Sequence, residues 1–211
     1  MNILEQIEQE KIIVIIRGVE KKKILPLVNA LYEGGIRFVE VTFPQGEDDS
    51  ITYENIKTIV ENFKGKMHVG SGTVLTEEQV ELTKKAGGEF IISPDTCEKV
   101  IKKTKESGMI SMPGAYTPSE ITTAVRCGAD FVKLFPASTL GTSYIKAIRA
   151  PLKNVKLLAV GGVNLDNVKD FIKVGVVGFG IGANVVDKTM LQNEDYNGIK
   201  ELAKKYVESV K

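Results

Sequence analysis

Short apolar runs alternate with longer amphipathic segments along the whole chain, and this pattern indicates the architecture. The apolar runs are rich in Val, Ile and Phe, and most lack polar alternation, as expected of strands that are buried on both faces. Eight runs of this kind predict strands at residues 11–16, 38–42, 67–69, 90–92, 109–112, 131–134, 157–160 and 176–180.

The segments between the apolar runs carry charged faces at helical spacing and therefore predict helices. Clear examples span residues 22–33, 53–63, 77–85 and 119–126. Further helices are predicted at residues 3–9, where the helix would cover one end of the fold, and at about 196–210. Glycines at 34–35, 87–88 and 128 suit helix C-termini, whereas Asn164 and Thr117, which precedes Pro118, suit helix starts.

Eight strands that alternate with helices predict one parallel α/β domain over residues 1–211, because no linker or composition break divides the chain. We predict a (β/α)8 TIM barrel with an extra N-terminal helix. The chain length lies near the lower end of the range for such barrels, and eight units of about 25 residues fill it. An open doubly wound sheet is the alternative.

The charge balance limits the kinds of partner that the chain can have. Lys and Arg number 28 and Asp and Glu 27, so the formal net charge is only +1. A net charge this small produces no long-range electrostatic field that would attract nucleic acid or an anionic membrane. An anionic substrate must therefore be held by a few charged or polar groups in its binding site. The first eleven residues contain no apolar run, so we expect no targeting segment, no membrane span and a cytoplasmic location.

Cysteine and histidine, the usual protein ligands of transition metals, are scarce. Cys97 and Cys127 fit neither a metal-ligand spacing nor a disulfide framework, and His68 is the single histidine. We interpret His68 as a structural residue, because it has no partner pattern. A protein-bound transition metal is not expected, and no cofactor is predicted. The chemistry would then fall to lysine, carboxylates and backbone amides.

The carboxyl ends of the strands are the place to look for a site, since active sites of such barrels lie there. Polar or conformationally permissive residues close every predicted strand. They are Arg17–Gly18, Glu40 and Thr42, Gly70–Ser71–Gly72–Thr73, Ser93–Pro94, Pro113–Gly114, Lys133, Gly161–Gly162 and Gly180–Ile181–Gly182. The pattern indicates a site at one end of the barrel, although glycines alone are ordinary turn residues.

Two charged residues lie inside apolar runs. Lys133 is flanked by Val132 and Leu134, a setting in which lysine is rare. If its amine faces the interior, desolvation and a nearby cation would lower its pKa and free the lone pair for attack on a carbonyl. The alternative is a lysine that reaches solvent or pairs with an acid. Glu40 could shuttle protons for such a lysine, or it could be a structural partner of Lys133 or Arg17.

The loops after the last two strands suggest an anion site. Gly161, Gly162 and the segment 180–184 follow those strands, where barrels commonly hold a phosphate with backbone amides. Tight turns are the alternative. A dinucleotide interpretation of Gly70–Ser71–Gly72 is weak, because the third glycine is missing and the motif follows the third strand.

Taken together, the motifs resemble those of the bacterial 2-keto-3-deoxy-6-phosphogluconate (KDPG) and 4-hydroxy-2-oxoglutarate (KHG) aldolases, which are class I aldolases with a barrel fold. The resemblance extends from Ile13 to about Val186. Its landmarks are VIIRG at 14–18, EGGIRFVEVTF at 33–43, VGSGTVLTEEQ at 69–79, FIISPD at 90–95, MPGAYTPSE at 112–120, FVKLFPA at 131–137 and GGVNLDN at 161–167.

The resemblance implies a role for each matching position. Lys133 corresponds to the Schiff-base lysine and Glu40 to the proton-transferring glutamate. Thr73 corresponds to a residue that holds the keto-acid carboxylate. Pro94 and Phe135 would line the pyruvyl pocket.

This chain departs from the pattern of many family members at two places: the residues that contact the substrate phosphate and the residue that contacts the substrate carboxylate. Gly161, Gly162 and the loop around Asn184 match phosphate contacts, but many members have serine where this chain has Asn184. Some members place an arginine four residues after the glutamate, whereas this chain has Pro44. The resemblance to another branch assigns the carboxylate contact to Arg17 instead.

The resemblance also implies a substrate class and an assembly. The substrate would be a small 4-hydroxy-2-keto acid that is cleaved to pyruvate and an aldehyde, as in the Entner–Doudoroff pathway. KDPG and 4-hydroxy-2-oxoglutarate are the expected substrates, and 2-dehydro-3-deoxy-6-phosphogalactonate is the alternative. The family is typically homotrimeric. Two rivals from other classes are a phosphate-binding barrel isomerase and a non-catalytic binding barrel, neither of which needs a reactive Lys133.

Overall fold

A computed structural model of the chain describes residues 2–46 and 48–211, and its strands form one parallel sheet curled into a nearly closed barrel. The sheet order is β5-β4-β3-β2-β1-β9-β8-β7-β6. The strands are β1 (Ile12–Ile16), β2 (Phe38–Thr42), β3 (His68–Gly72), β4 (Phe90–Ile92), β5 (Ile110–Met112), β6 (Gly114–Ala115), β7 (Val132–Leu134), β8 (Leu157–Val160) and β9 (Gly178–Ile181). The TIM-barrel prediction is confirmed.

A short strand that was not predicted, β6, follows the predicted fifth strand, and Pro113 separates the two. Proline has no N–H and cannot donate to a strand ladder, so β5 ends before it and β6 begins after it. β5 pairs with β4 and β6 pairs with β7, so this single residue joins the two edges of the sheet. The carbonyl of Pro113 accepts a hydrogen bond from the backbone N–H of Lys133 at 2.9 Å.

Helices cover the outside of the barrel, and their buried faces form the larger hydrophobic core against the sheet. The longer helices are α1 (Ile3–Glu10), α2 (Lys21–Glu33), α3 (Ser50–Asn62), α4 (Glu77–Lys85), α5 (Glu98–Glu106), α6 (Pro118–Arg126), α7 (Ala137–Arg149) and α10 (Tyr196–Ser209), and the two short ones are α8 (Val168–Lys173) and α9 (Lys188–Gln192). The helices predicted from periodicity are therefore present within a few residues of their expected bounds.

Local signals explain several helix ends. Thr117 caps α6 through a capping box, in which its hydroxyl accepts from the Glu120 N–H and the Glu120 carboxylate accepts from the Thr117 N–H. Gly34 is the C-cap of α2, and Gly87 and Gly128 follow the ends of α4 and α6 in left-handed conformation.

Several boundaries differ from the sequence-based expectation, and three of them have a clear local reason or bear on the site. β3 continues to Gly72 because its ladder with β2 includes the glycines, and β9 covers residues 178–181 instead of 176–180. Asn164 does not begin a helix. Its side-chain oxygen accepts from the N–H groups of Asp166 and Asn167 in a local turn, and α8 begins only at Val168.

A separate hydrophobic cluster closes the amino-terminal end of the barrel interior. It contains large buried side chains from most strands, together with Ile7 of α1: Ile13, Phe38, Phe90, Ile92, Met112, Phe131 and Leu158. Side chains two residues further along a strand point to the same side of the sheet. Glu40 lies two residues after Phe38, and Lys133 lies two residues after Phe131. Both charged side chains therefore point to the same side as this cluster and lie directly above it, and we call the cluster the apolar plug.

Candidate active site

Lys133 is held in the middle of the barrel by strands on both sides. It pairs with Gly114 of β6 and with Leu158 of β8, and only 6% of its surface is exposed. Its ammonium nitrogen lies 4.8 Å from the centroid of the Phe135 ring, which follows on the same side of the strand. The side chain therefore points into the barrel near its carboxyl end and does not reach bulk solvent.

Glu40 is more deeply buried than Lys133, with 1% of its surface exposed. It lies on β2 in register with Ile15 of β1 and Gly70 of β3. Its carboxyl group occupies the space above Gly72, where a Cβ atom would overlap with Oε1 of Glu40. The glycine therefore makes room for the carboxylate inside the barrel, which the sequence alone did not indicate.

Burial is the largest influence on both ionisable groups. Desolvation lowers the pKa of Lys133, the Glu40 carboxylate raises it, and the Arg17 guanidinium lowers it further. Desolvation also raises the pKa of Glu40, whereas Lys133 and Arg17 lower it. The three groups are thus electrostatically coupled, and the barrel interior favours a neutral amine on Lys133 more than water does.

Arg17 and Thr73 meet at the mouth of the barrel from neighbouring loops. The Nη2 of Arg17 donates to Oγ1 of Thr73 at 3.1 Å. Thr73 has a φ of 57°, in the left-handed region that non-glycine residues rarely adopt, and such strain is often found at functional sites. The remaining donors of the guanidinium make a carboxylate the natural ligand for this pair.

Pro94 and Phe135 follow β4 and β7 at the carboxyl end of the barrel. Phe135 is 39% exposed, which is unusual for a phenylalanine and leaves its ring open at the mouth above Lys133. Pro94 follows β4, and its carbonyl packs so closely on Gly114 that a side chain at Gly114 would overlap with it. These two residues give the entrance an apolar wall.

The loops after β8 and β9 meet, so the structure brings Gly161, Gly162 and Asn184 together. Asn184 Nδ2 donates to the carbonyl of Val163 at 2.7 Å. Both glycines have positive φ, 90° and 73°, which an L side chain would strain. Ser138 at the start of α7 lies over Gly162, a contact that sequence reasoning missed, although a polar residue soon after the lysine strand was a usable signal.

His68 lies at the start of β3, away from this end of the barrel. His68 bonds Glu89 through Nδ1 at 2.9 Å and Gln6 through Nε2 at 2.8 Å, and it stacks on Phe38, which is consistent with its structural interpretation. Within the described part of the chain, no group of three or more His, Cys, Asp or Glu residues could hold a metal ion. Over the same residues, no helix is both long and apolar enough to cross a membrane.

Comparison with known proteins identifies close relatives. Over 178 residues the chain is 37% identical to the probable 2-dehydro-3-deoxy-6-phosphogalactonate aldolase of Rhizobium meliloti strain 1021, covering 84% of this chain and 82% of the relative. It is 35% identical to the 2-dehydro-3-deoxy-6-phosphogalactonate aldolase of Escherichia coli K12, and the match covers 82% of this chain and 83% of that relative.

A solved structure and a family model agree with these relatives. The KDPG aldolase of Legionella pneumophila, crystallised with pyruvate captured at low pH as a covalent carbinolamine intermediate, superposes with a TM-score of 0.85 at 28% identity and covers 92% of this chain and 93% of that one. The family model described as KDPG and KHG aldolase matches residues 3–202. The relatives are named as aldolases, which are lyases, and the chain belongs to the KDPG and KHG aldolase family.

Proposed function

We propose that this chain is a class I aldolase in which Lys133 forms a Schiff base with a 4-hydroxy-2-keto acid. One observation carries the proposal: a buried lysine with a lowered pKa points into the barrel beside a buried carboxyl group and a guanidinium. A neutral amine is the nucleophile that imine formation requires. The covalent pyruvate intermediate of the Legionella pneumophila relative supports the same chemistry.

The reaction begins with attack of the Lys133 nitrogen on the C2 carbonyl. Loss of the carbinolamine oxygen as water gives an iminium ion. Glu40, directly or through a water, then removes the proton of the C4 hydroxyl, and the electrons of the C3–C4 bond pass to the iminium nitrogen. The aldehyde leaves and an enamine remains. Glu40 returns the proton to C3, and one water molecule hydrolyses the resulting imine to pyruvate and free Lys133.

The environment of Glu40 suits it to carry that proton. Burial raises its pKa, so a proton taken from the substrate is held more readily than by an exposed carboxylate. Lys133 and Arg17 oppose this shift, which keeps the group able to give up the proton again. The apolar plug beneath the two residues closes the barrel interior to water from the amino-terminal end.

The carboxylate of the keto acid is assigned to Arg17 and Thr73. The hydrogen bond between them fixes the guanidinium at the mouth. The family resemblance assigns the carboxylate contact to Arg17, because this chain has Pro44 where some members have an arginine. Pro94 and Phe135 would contact the methyl side of the pyruvyl group. With the carboxylate held there, C2 of the substrate is directed toward Lys133.

The distal end of the substrate is assigned to the loops after β8 and β9. Gly161 and Gly162 present backbone without side chains, and Asn184 is tied to the same region, which suits a phosphate group. We propose 2-dehydro-3-deoxy-6-phosphogalactonate as the preferred substrate, because the relatives at 37% and 35% identity carry that name. KDPG and 4-hydroxy-2-oxoglutarate are the competing candidates.

A steady-state comparison tests the assignment. Pyruvate release is measured for the two phosphorylated epimers and for 4-hydroxy-2-oxoglutarate, with Lys133→Met as the inactive control. We expect the highest kcat/KM with the phosphogalactonate-derived acid. A higher kcat/KM with KDPG or with the unphosphorylated acid would reject the substrate assignment. Equal turnover by Lys133→Met would reject the aldolase mechanism itself.

We also propose that the chain acts in the cytoplasm as a homotrimer of single-domain subunits spanning residues 1–211, as the family resemblance implies. Exposed apolar side chains, among them Ile51, Tyr116 and Val125, are available for contacts between subunits. Light scattering of the purified protein measures the assembly directly. A mass three times the 23.1 kDa of one chain supports the trimer, and a monomer or dimer contradicts it.

A further inference from the structure

The loop after β3 carries Thr73 in a backbone conformation that needs support from its surroundings. The residue has a φ of 57°, and a non-glycine residue keeps such a conformation only where neighbouring contacts impose it. Its hydroxyl accepts a hydrogen bond from Arg17, so the placement of this loop sets half of the proposed carboxylate contact. Side chains that hold the loop in place therefore bear on the reaction without touching the substrate.

One side chain of α4 reaches back to this loop. Oε1 of Gln79 accepts a hydrogen bond at 2.9 Å from the N–H of Leu75, which lies two residues after Thr73. Gln79 is only 7% exposed, so both ends of its amide need partners inside the protein. At the other end, Nε2 lies 3.1 Å from Oδ2 and 3.3 Å from Oδ1 of Asp49, the residue before α3. The amide thus joins the loop after β2 to the loop after β3.

The sequence around Gln79 has the spacing of a capping box, T-x-x-Q, and the structure uses it in an altered form. Thr76 caps α4, and its hydroxyl accepts from the N–H of Gln79 at 3.3 Å. In a complete box the Gln79 side chain would accept from the N–H of Thr76 in return. The side chain reaches one residue further, to the N–H of Leu75, so it holds the loop that precedes the helix.

An amide is the side chain that makes both contacts. The N–H of Leu75 requires an acceptor, and the Asp49 carboxylate requires a donor. Glutamate would accept equally well from Leu75, but it would place a second carboxylate against Asp49, and like charges at such a distance repel each other. The residue type at position 79 is therefore determined by the contact between the two loops.

The same helix also holds the end of β3. Thr83, one turn after Gln79, donates its hydroxyl to the carbonyl of Gln79 at 2.8 Å and hydrogen-bonds Oγ of Ser71 at 2.6 Å. Thr83 and Ser71 are both fully buried. Contacts from α4 thus lie on either side of Thr73, one at the end of the strand and one in the loop.

We propose that Gln79 is a positioning residue of the aldolase reaction, which holds the loop after β3 against the loop after β2 and so fixes the Thr73 hydroxyl beside Arg17. The proposal rests on the aldolase function proposed above and adds a residue that acts through Thr73. Its loss weakens capture of the keto acid and leaves bond cleavage intact. Contacts that are equally strong in the bound substrate and the transition state raise KM when they are lost, and kcat is unchanged.

Gln79→Met keeps the approximate length of the side chain and removes both hydrogen bonds. We expect KM for the keto acid, and the pyruvate concentration that gives half-maximal trapping by borohydride, to rise about tenfold, while kcat changes less than about twofold. Thr104→Val on α5 is the matched control, because it removes a buried hydroxyl that donates to the carbonyl of Val100 in its own helix. KM and the trapping midpoint should stay at their wild-type values in this control.

An exchange of the two side-chain types tests the link to Asp49 separately. Gln79→Glu keeps the acceptor for Leu75 and should raise KM about tenfold, because its carboxylate faces that of Asp49. The double variant Gln79→Glu/Asp49→Asn again pairs one amide with one carboxylate, and its KM should return to within about threefold of the wild type. Asp49→Asn alone should change KM little, since its amide oxygen still accepts from Gln79.

The positioning role is separated from a purely structural one by KM. Loss of stability alone would lower the fraction of folded enzyme and leave KM where it was. An unchanged KM and trapping midpoint in Gln79→Met, or no rescue in the double variant, would overturn the proposal. If pyruvate is not trapped on the wild-type chain, the aldolase mechanism itself fails and the role of Gln79 falls with it. Should Gln79→Met fail to fold, the rescue of Gln79→Glu by Asp49→Asn decides the question alone.

Discussion

Gly72 and Glu40 occupy neighbouring strands in such a way that the carboxyl group of Glu40 fills the space that a side chain on Gly72 would take. A proton-carrying carboxylate inside a barrel needs both burial and room. Burial comes from the apolar plug below it, and room comes from the absence of a Cβ at position 72. The proposed proton shuttle thus depends on a residue that carries no chemistry of its own.

Gly72→Ala is expected to lower kcat at least about tenfold and to destabilise the fold by about 2 kcal/mol, since an added methyl group in a filled interior forces its neighbours to shift. Activity assays and thermal unfolding measure the two effects. Gly65→Ala is the control: it has a positive φ and open space around its Cα, so it should cost stability without a loss of kcat. Normal kcat in Gly72→Ala would show that the position of Glu40 is not critical.

Glu40→Gln should lower kcat by about 100-fold or more, because the amide cannot take up the proton of the C4 hydroxyl. Pyruvate should still be trapped on Lys133, although more slowly, since the lysine remains in place. Glu54→Gln on the outer face, where Glu54 pairs with Lys21, serves as a matched control with wild-type kcat. Unchanged turnover in Glu40→Gln would exclude the shuttle.

Arg17→Met should shift the pH dependence of pyruvate trapping upward. The guanidinium lowers the pKa of Lys133, so its removal raises that pKa and leaves less neutral amine at a given pH. The trapping rate should therefore reach half of its maximum at a higher pH than in the wild type, and KM for the keto acid should rise. Arg17→Lys keeps the charge and should retain most of the wild-type pH profile. An unshifted profile in Arg17→Met would contradict the electrostatic role.

His68→Ala should affect stability and leave the chemistry intact. The ring bonds Glu89 and Gln6 and stacks on Phe38 at the end of the barrel opposite the proposed site. Loss of these contacts is expected to cost about 1–2 kcal/mol, which denaturant unfolding measures. Asn62→Ala, which loses one exposed bond, should cost less. A fall in kcat without a fall in stability would assign His68 a role in the reaction.

The sequence was most informative about features that depend on residues close together along the chain. Apolar runs located the strands, and Lys133 and Glu40 stood out because each interrupts such a run. Other features became visible only in the structure. The carboxyl group of Glu40 lies over Gly72, and Ser138 lies over Gly162, although the members of each pair are distant in sequence. The side-chain oxygen of Asn55 is buried without a hydrogen-bond partner among the described residues. A single sequence can mark Ser138 as a polar candidate, but it does not show which residues such side chains contact, because the contacts depend on the register of strands and the placement of helices. Asn164 shows the converse: a good capping residue formed a turn instead of a helix start.

The most direct test of the central claim is to identify the residue that pyruvate modifies. The protein is incubated with pyruvate and borohydride, digested, and mapped by mass spectrometry, with Lys133→Met treated in parallel. We predict one pyruvate-derived adduct on each chain, located on Lys133 and missing from the variant. No adduct, or an adduct on another lysine that persists in Lys133→Met, would contradict the account.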